Sequence, residues 1–275
     1  MPELPEVETV VRNLNNEISS KTKLKIIDVN VFISKIIKNL SINEFKKKII
    51  GEQILNFERN GKYIILKLSN KKNILIHLRM EGKLFLQTKE ETNIKKVRVQ
   101  FTLSNGMFLN FFDTRMFGTF HFYLNKDLLK SNELKKVGID VLDKKFNNKY
   151  LFNNLKNRKI KIKTFLLNQT FQAGIGNIYA DEILFDSRIL PTRNTKDISL
   201  NDCEKIIKSC KKIIVESIKE GGTTVNSFKS SQNKFGKYQD KLMVYHQKMC
   251  KICKHKIRRI KINGRTSWYC SHCQK

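Results

Sequence analysis

Two cysteine pairs near the C-terminus, Cys250-x2-Cys253 and Cys270-x2-Cys273, constrain this chain more than any other feature, and sixteen residues separate them. Paired hooks supply four thiolates, which suits a tetrahedral metal ion and above all zinc. With Cys250, Cys253, Cys270 and Cys273 filling every position, no site remains for an activated water, so one structural Zn2+ is expected. It would hold a hairpin too short to fold by itself. His255 and His272 lie inside the cluster, but the cysteine set is complete without them. The opening Met1-Pro2-Glu3-Leu4-Pro5-Glu6 is acidic and lacks the basic and apolar regions of a signal peptide. A reducing, cytosolic location is therefore expected, which favours metal binding over disulfides. Cys203 and Cys210 fall on an apolar helical face and read as core residues.

Upstream, two textures divide the chain. Val7, Val10, Val11, Leu14 and Ile18 recur at helical spacing, then apolar and period-two runs take over, such as Tyr63–Leu66, Ile74–Ile76 and Val97–Phe101. Asn105-Gly106 between two such runs predicts a hairpin, and 119–124 another strand. Residues 1–130 are thus expected to form two packed β-sheets with one helix against them. From Ser131 strands vanish, and helical stretches are predicted near 147–157, 161–168, 177–186 and 199–220. Ser199 is the expected N-cap of the last, and Gly221-Gly222 its stop. A polar stretch at 226–240 reads as a loop. The expected organisation is a β-domain at 1–130, a helical domain at 131–240 and a zinc hairpin at 241–275.

Charge narrows the function. Lys and Arg number 54 against 25 Asp and Glu, a formal +29 over 275 residues. Such an excess favours a polyanionic partner, because each cation that meets a phosphate releases a condensed counterion. An AT-rich coding bias could also inflate lysine, and ribosomal or membrane-surface proteins share the signal. No apolar run approaches the roughly 18 residues that span a bilayer, so a soluble protein without membrane association is expected.

Removal of an initiator Met before Pro2 would leave a secondary α-amine, whose ordinary pKa near 8 keeps a useful fraction unprotonated at neutral pH. Such an amine can attack a sugar C1′ and form an iminium, with Glu3 beside it as general acid or base. Read without that chemistry, Pro2 and Pro5 rigidify the helix start and the acids complement its dipole.

Pro2-Glu3-Leu4-Pro5-Glu6-Val7-Glu8-Thr9 resembles the N-terminal signature of the formamidopyrimidine-DNA glycosylase family. The resemblance runs on through Gly61-Lys62-Tyr63, His77-Leu78-Arg79-Met80-Glu81-Gly82, Asp113-Thr114-Arg115-Met116-Phe117-Gly118, Asn168-Gln169-Thr170 and Gly174–Glu182 to the cysteines. It implies an α+β fold: an N-terminal β-sandwich with a packed helix, a helical domain with a helix–two-turn–helix, and a C-terminal zinc ribbon. It further implies a monomeric enzyme acting on double-stranded DNA with oxidised bases, excising oxidised purines and nicking the strand by β,δ-elimination. Pro2 would be the nucleophile, Glu3 its acid/base partner, Lys62 the assistant of β-elimination and Arg265 of δ-elimination. Met80 and Phe117 would wedge into the duplex while Arg115 pairs with the orphaned cytosine. Asn177 would contact the DNA backbone at a helix start, and Arg158 and Lys96 its phosphates. On residue type alone, Lys62 reads as a solvated strand-end charge, and Met80 and Phe117 as core residues.

Some letters depart from the family. Thr114 stands for a usual proline, Met116 for an arginine and Lys96 for a histidine, and Ser230–Lys234 diverge within the lesion loop. Endonuclease VIII, the sister activity on oxidised pyrimidines, is the nearest alternative. A non-catalytic basic zinc-ribbon protein is the other.

Overall fold

The computed structural model describes residues 1–19, 23–223 and 236–275. These divide into two compact units, Met1–Lys135 with Gly221–Lys237, and Lys136–Glu220 with Tyr238–Lys275.

Val-, Ile- and Phe-rich alternation builds the first unit. Its strands are β1 (Ile26–Val31), β2 (Ile54–Asn60), β3 (Tyr63–Leu68), β4 (Lys72–His77), β5 (Lys83–Gln87), β6 (Val97–Leu103), β7 (Phe108–Phe112) and β8 (Thr119–Leu124). They form two antiparallel four-stranded sheets, ordered β1-β6-β7-β5 and β2-β3-β4-β8. One core joins them: Val29, Phe101 and Phe111 of the first sheet share it with Ile64, Ile76 and Phe120 of the second. Phe111 and Phe120 meet edge to face at 5.0 Å, a geometry that adds to the burial gain of each ring. Helix α1 (Leu4–Ser19) turns Val7, Val10, Val11 and Leu14 into this core, with Ile18 packed against it, at the period expected. The hairpin at Asn105-Gly106 also forms, with the Met107 amide donating to Asn105 Oδ1 at 3.1 Å.

A second helix in this unit, α2 (Ile42–Ile49), differs from the one-helix expectation. Only Phe45 and Ile49 of α2 are buried, so its three consecutive lysines hide the apolar period. Its signature was instead a capping box: Ser41 Oγ accepts from the Glu44 amide, and the Glu44 carboxylate from the Ser41 amide. A single turn, α3 (Asn125–Leu128), follows β8.

In the second unit, α4 (Asn148–Leu155), α5 (Ile162–Leu167), α6 (Asn177–Asp186) and α7 (Leu200–Lys219) form where helices were expected. Ser199 caps α7 through a reciprocal box with Asp202, and Cys203, Ile206, Cys210, Ile213, Ile214 and Ile218 face inward. The stretch expected to lack strands holds a small parallel pair, β9 (Ile139–Asp140) and β10 (Gln172–Ala173). Two-residue strands have no period to read. The zinc hairpin comprises β11 (Arg258–Ile262) and β12 (Arg265–Tyr269), paired antiparallel. Of the loop expected at 226–240, residues 226–235 lie outside the described residues, including the divergent Ser230–Lys234. Its end, Tyr238–Lys241, is a 3-10 turn, because Tyr238 is buried against Tyr179 with ring centroids 6.1 Å apart. Among the described residues no helix is long and apolar enough to cross a membrane.

Candidate active site and nucleic-acid interface

The start of α1 brings ionisable groups into a dry place. Pro2 is buried, Glu3 is 3% exposed and Glu6 equally sequestered. One Glu6 oxygen accepts the Glu3 amide at 2.8 Å, and the other accepts the Thr223 amide at 2.8 Å and its hydroxyl at 3.1 Å. Gly222 has φ +80, and a Cβ there would stand 2.8 Å from Glu6 Oε1, so this approach needs glycine. Burial holds the Met1 amine below its ordinary 8.0; Glu3 and Glu6 oppose that shift, and the Lys62 charge adds to it. Lys62 is only 6% exposed, in the turn between β2 and β3, so the solvated strand-end reading does not hold. Packing of the turn against the sheet takes its side chain out of water. Beside Lys62, burial and the Arg79 and Lys62 charges push His77 down to about 3, and its Nδ1 accepts the Arg79 amide at 2.9 Å. His77 is therefore a neutral imidazole at physiological pH.

Met80 and Phe117 are 40% and 50% exposed, which overturns the core reading of both. They sit on loops after β4 and after β7, outside the strands whose faces the core covers. A hydrogen bond from the Thr114 hydroxyl to the Glu81 carboxylate ties the two loops together. Within the second loop the buried Asp113 carboxylate accepts the amides of Arg115, Phe117 and Gly118, at 3.1, 2.8 and 2.7 Å. Those bonds hold Met116 at φ +55, a conformation that costs a non-glycine residue about 1–2 kcal/mol. The Arg115 guanidinium lies 4.9 Å over the Phe117 ring. Two large apolar side chains thus stand in solvent on a braced platform, with a cation stacked on one. Lys96 is exposed on the turn Ile94–Lys96 before β6.

The second unit places the remaining candidates. Gly176 precedes α6, whose first residue, Asn177, donates from Nδ2 to the Thr266 carbonyl at 3.1 Å. Asn177 Oδ1 is buried and finds no partner among the described residues. An orphan acceptor at a helix start is a place for a polar ligand. Arg265 is exposed where Asn263-Gly264, both at positive φ, turn β11 into β12, next to the Thr266 that Asn177 holds. Arg158 is exposed and stacks 4.2 Å over Phe171.

Fully buried Lys163 and Asp181 pair at 2.7 Å, and Lys163 also reaches the Thr266 carbonyl at 3.2 Å. Asp181 accepts from the Ser267 hydroxyl and the Trp268 amide, at 2.7 and 2.9 Å. Its neighbour Glu182 accepts the amides of Met243, Val244 and Tyr245 at 2.8–3.0 Å. Burial pushes both carboxyls up, and these donors pull them back. So α6 grips the hairpin through one acid and its approach through the next.

The four ribbon sulfurs lie within 4.8 Å of one another, with Cys250–Cys273 at 3.8 Å and Cys253–Cys270 at 3.4 Å. Tetrahedral ligands at about 2.3 Å from zinc are about 3.8 Å apart, so the cluster fits the ion. The His255 amide holds the Cys253 thiol down at about 6. His255 and His272 stack on each other with ring centroids 4.3 Å apart and planes at 9°.

Comparison with known proteins follows these features along the chain. Residues 1–120 match the formamidopyrimidine-DNA glycosylase N-terminal domain, 137–229 its H2TH domain, and 248–275 the zinc finger found in FPG and IleRS. A formamidopyrimidine-DNA glycosylase of Ureaplasma parvum serovar 3 is 44% identical over 277 residues, covering 100% of both chains. This chain belongs to the formamidopyrimidine-DNA glycosylase family. Its architecture agrees with that of the family: the Lactococcus lactis Fpg bound to N7-benzyl-Fapy-dG DNA superposes with a TM-score of 0.91 at 32% identity, covering 100% of each chain. The same protein with DNA containing an oxidised pyrimidine gives 0.91, also at 32% and 100%. The chain is thus a DNA glycosylase of DNA repair, and its cysteine cluster is the family's structural zinc site.

Sequence reasoning carried Asp113, Asp181 and Glu182 only as letters within motifs, and passed over Lys163. Acids inside otherwise apolar or glycine-rich strings were the available signal. Their donors come from up to 87 positions away in Trp268, which no local pattern reveals.

Proposed function

We propose that this glycosylase is bifunctional: it excises oxidised purines from double-stranded DNA through an imine on Pro2 and then nicks the strand by β,δ-elimination. The observation that carries the reading is the burial of Pro2 beside the sequestered carboxylates of Glu3 and Glu6 at the start of α1. A desolvated amine is unprotonated, hence nucleophilic, at lower pH than an exposed one.

With Met1 removed, the Pro2 nitrogen attacks C1′ as the bond to the base breaks, and Glu3 supplies or takes the protons of base departure and sugar-ring opening. The resulting iminium acidifies C2′. Loss of that proton expels the 3′ phosphate, and a second elimination expels the 5′ phosphate. Lys62 assists the first elimination and Arg265 the second. Water then hydrolyses the imine and frees Pro2. Met80 and Phe117 fill the gap left by the extruded nucleotide, and Arg115 pairs with the orphaned cytosine. Asn177, Arg158 and Lys96 hold phosphates, and the +29 charge makes affinity fall steeply with salt. Zinc, held by Cys250, Cys253, Cys270 and Cys273, keeps the ribbon folded and enters no step. The enzyme works as a monomer in the bacterial cytosol, on the nucleoid.

Borohydride trapping on an 8-oxoguanine duplex with peptide mapping tests this reading. A crosslink on Pro2 is expected. Absence of any crosslink, with Met1 gone and DNA binding intact, would sink it. A preference for oxidised pyrimidines is the second reading, favoured by the relative solved with such DNA. Release of thymine glycol faster than 8-oxoguanine would select it.

A further inference from the structure

Lys62 stands on a two-residue turn, Gly61-Lys62, that joins β2 to β3, with Asn60 paired to Tyr63 and Gly61 at φ +57. β2 is an edge strand of its sheet, so one side of it has no neighbouring strand. A side chain of α1 takes the place of that neighbour at Phe57. Asn15 Nδ2 donates to the Phe57 carbonyl, and Asn15 Oδ1 accepts the Phe57 amide, both at 2.8 Å.

Two helical turns before Asn15, on the same face of α1, Glu8 holds Arg59. Arg59 Nε donates to Glu8 Oε2 at 2.7 Å, and Nη1 of the same guanidinium donates to the Gly61 carbonyl at 3.1 Å. Arg12 Nε donates to the other Glu8 oxygen at 2.8 Å, which orients the carboxylate. The Arg59 side chain is 9% exposed and that of Glu8 17%, so little water competes for the pair. The Gly61 carbonyl belongs to the peptide that joins Gly61 to Lys62. Because that peptide is planar, holding its oxygen sets the direction in which Lys62 leaves the turn.

One guanidinium therefore spans from the helix to the turn. Helix α1 is anchored independently by Val7, Val10, Val11 and Leu14 in the core, so the turn is the part whose position depends on this strut. Lys62 is drawn in to 6% exposure, and its charge is felt at the Met1 amine beside the start of α1. A planar fork makes both bonds at once, whereas a lysine ammonium would carry the charge without the span.

We propose that Arg59 is a positioning residue of the strand-cutting step: by bridging Glu8 and the Gly61 carbonyl, it holds Lys62 towards the start of α1. This assignment rests on the proposed part of Lys62 in β-elimination.

The test uses the full, zinc-loaded chain with Arg59→Met and, separately, Arg59→Lys. Single-turnover rates are measured for release of 8-oxoguanine and for nicking of a preformed abasic site. Both variants are expected to release the base at the wild-type rate and to nick about tenfold more slowly, within the ~10²-fold that a misplacement of about 1 Å can cost. Competitive acetylation of the free protein, mapped by mass spectrometry, should label Lys62 faster in both variants relative to the other lysines. Wild-type nicking by Arg59→Met overturns the proposal, and so does recovery in Arg59→Lys, which would reduce Arg59 to its charge. Equal losses of base release and nicking also overturn it, because α1 itself would then have moved. If Arg59→Met does not fold, Arg59→Lys, which keeps the stem and the charge, decides by the same rates. A wild type that fails to nick abasic DNA would instead contradict the proposed function. Lys62 labelling would still decide the strut, since labelling unchanged in the variants overturns it.

Discussion

Both units bury charged groups, and they do so to opposite ends. At the junction of α6 with the zinc hairpin, every oxygen of Asp181 and Glu182 has a named donor, and Lys163 closes the set. At the start of α1, burial instead encloses Pro2 with the Glu3 and Glu6 carboxyls and depresses the Met1 amine below 8.0. The first arrangement uses desolvation for rigidity; under the proposed function, the second uses it for reactivity. Cysteines repeat the contrast: burial pushes Cys203 and Cys210 up to about 12, while a backbone amide holds Cys253 down at about 6. A buried ionisable group is a fastener when its partners saturate it and a tool when its ordinary charge state is displaced.

The largest effect expected comes from the metal. Cys250→Ser should unfold the ribbon and abolish DNA binding, since structural zinc contributes about 10–16 kcal/mol of apparent folding energy. Normal binding by the metal-free variant would contradict this. Zinc chelation in the wild type should also expose four thiols to iodoacetamide at pH 7, and six would mean that α7 opens too.

Next, Glu3→Gln should lower base excision by about 10²–10⁴-fold while leaving the unfolding temperature level or higher. A large fall in that temperature would make Glu3 a fastener and erase the contrast. Lys163→Met should do the reverse, destabilising the second unit by about 3–5 kcal/mol because Asp181 is left buried and unpaired. Denaturant unfolding measures it, and the double variant with Asp181→Leu should recover most of the loss. No recovery would show that Lys163 acts elsewhere.

The smallest effect is on pH. In the chain that keeps Met1, its amine is depressed in the folded state, so between its folded pKa and 8.0 the unfolded chain holds a proton that the folded chain lacks. Stability from this group is then complete above 8.0 and is lost as pH falls through the folded pKa.

Much of the fold was legible because its signals are local. The Asn105-Gly106 turn, the Ser199 cap with its twenty-residue amphipathic helix, and the paired cysteines each depend on residues a few positions apart. Helix α2 was hidden by its lysines although its capping box was in view.

By itself, then, the sequence determined the periods, caps, hooks and family motifs of this chain, and with them its class and its metal. Tertiary structure alone decided which of those residues meet water. It buried Lys62, exposed Met80 and Phe117, and joined Lys163 to Asp181 and Thr266, partners 18 and 103 positions away. Desolvation is set by every atom within a few ångströms, whatever its distance along the chain, so reactivity and locking could be separated only once the fold had closed around them.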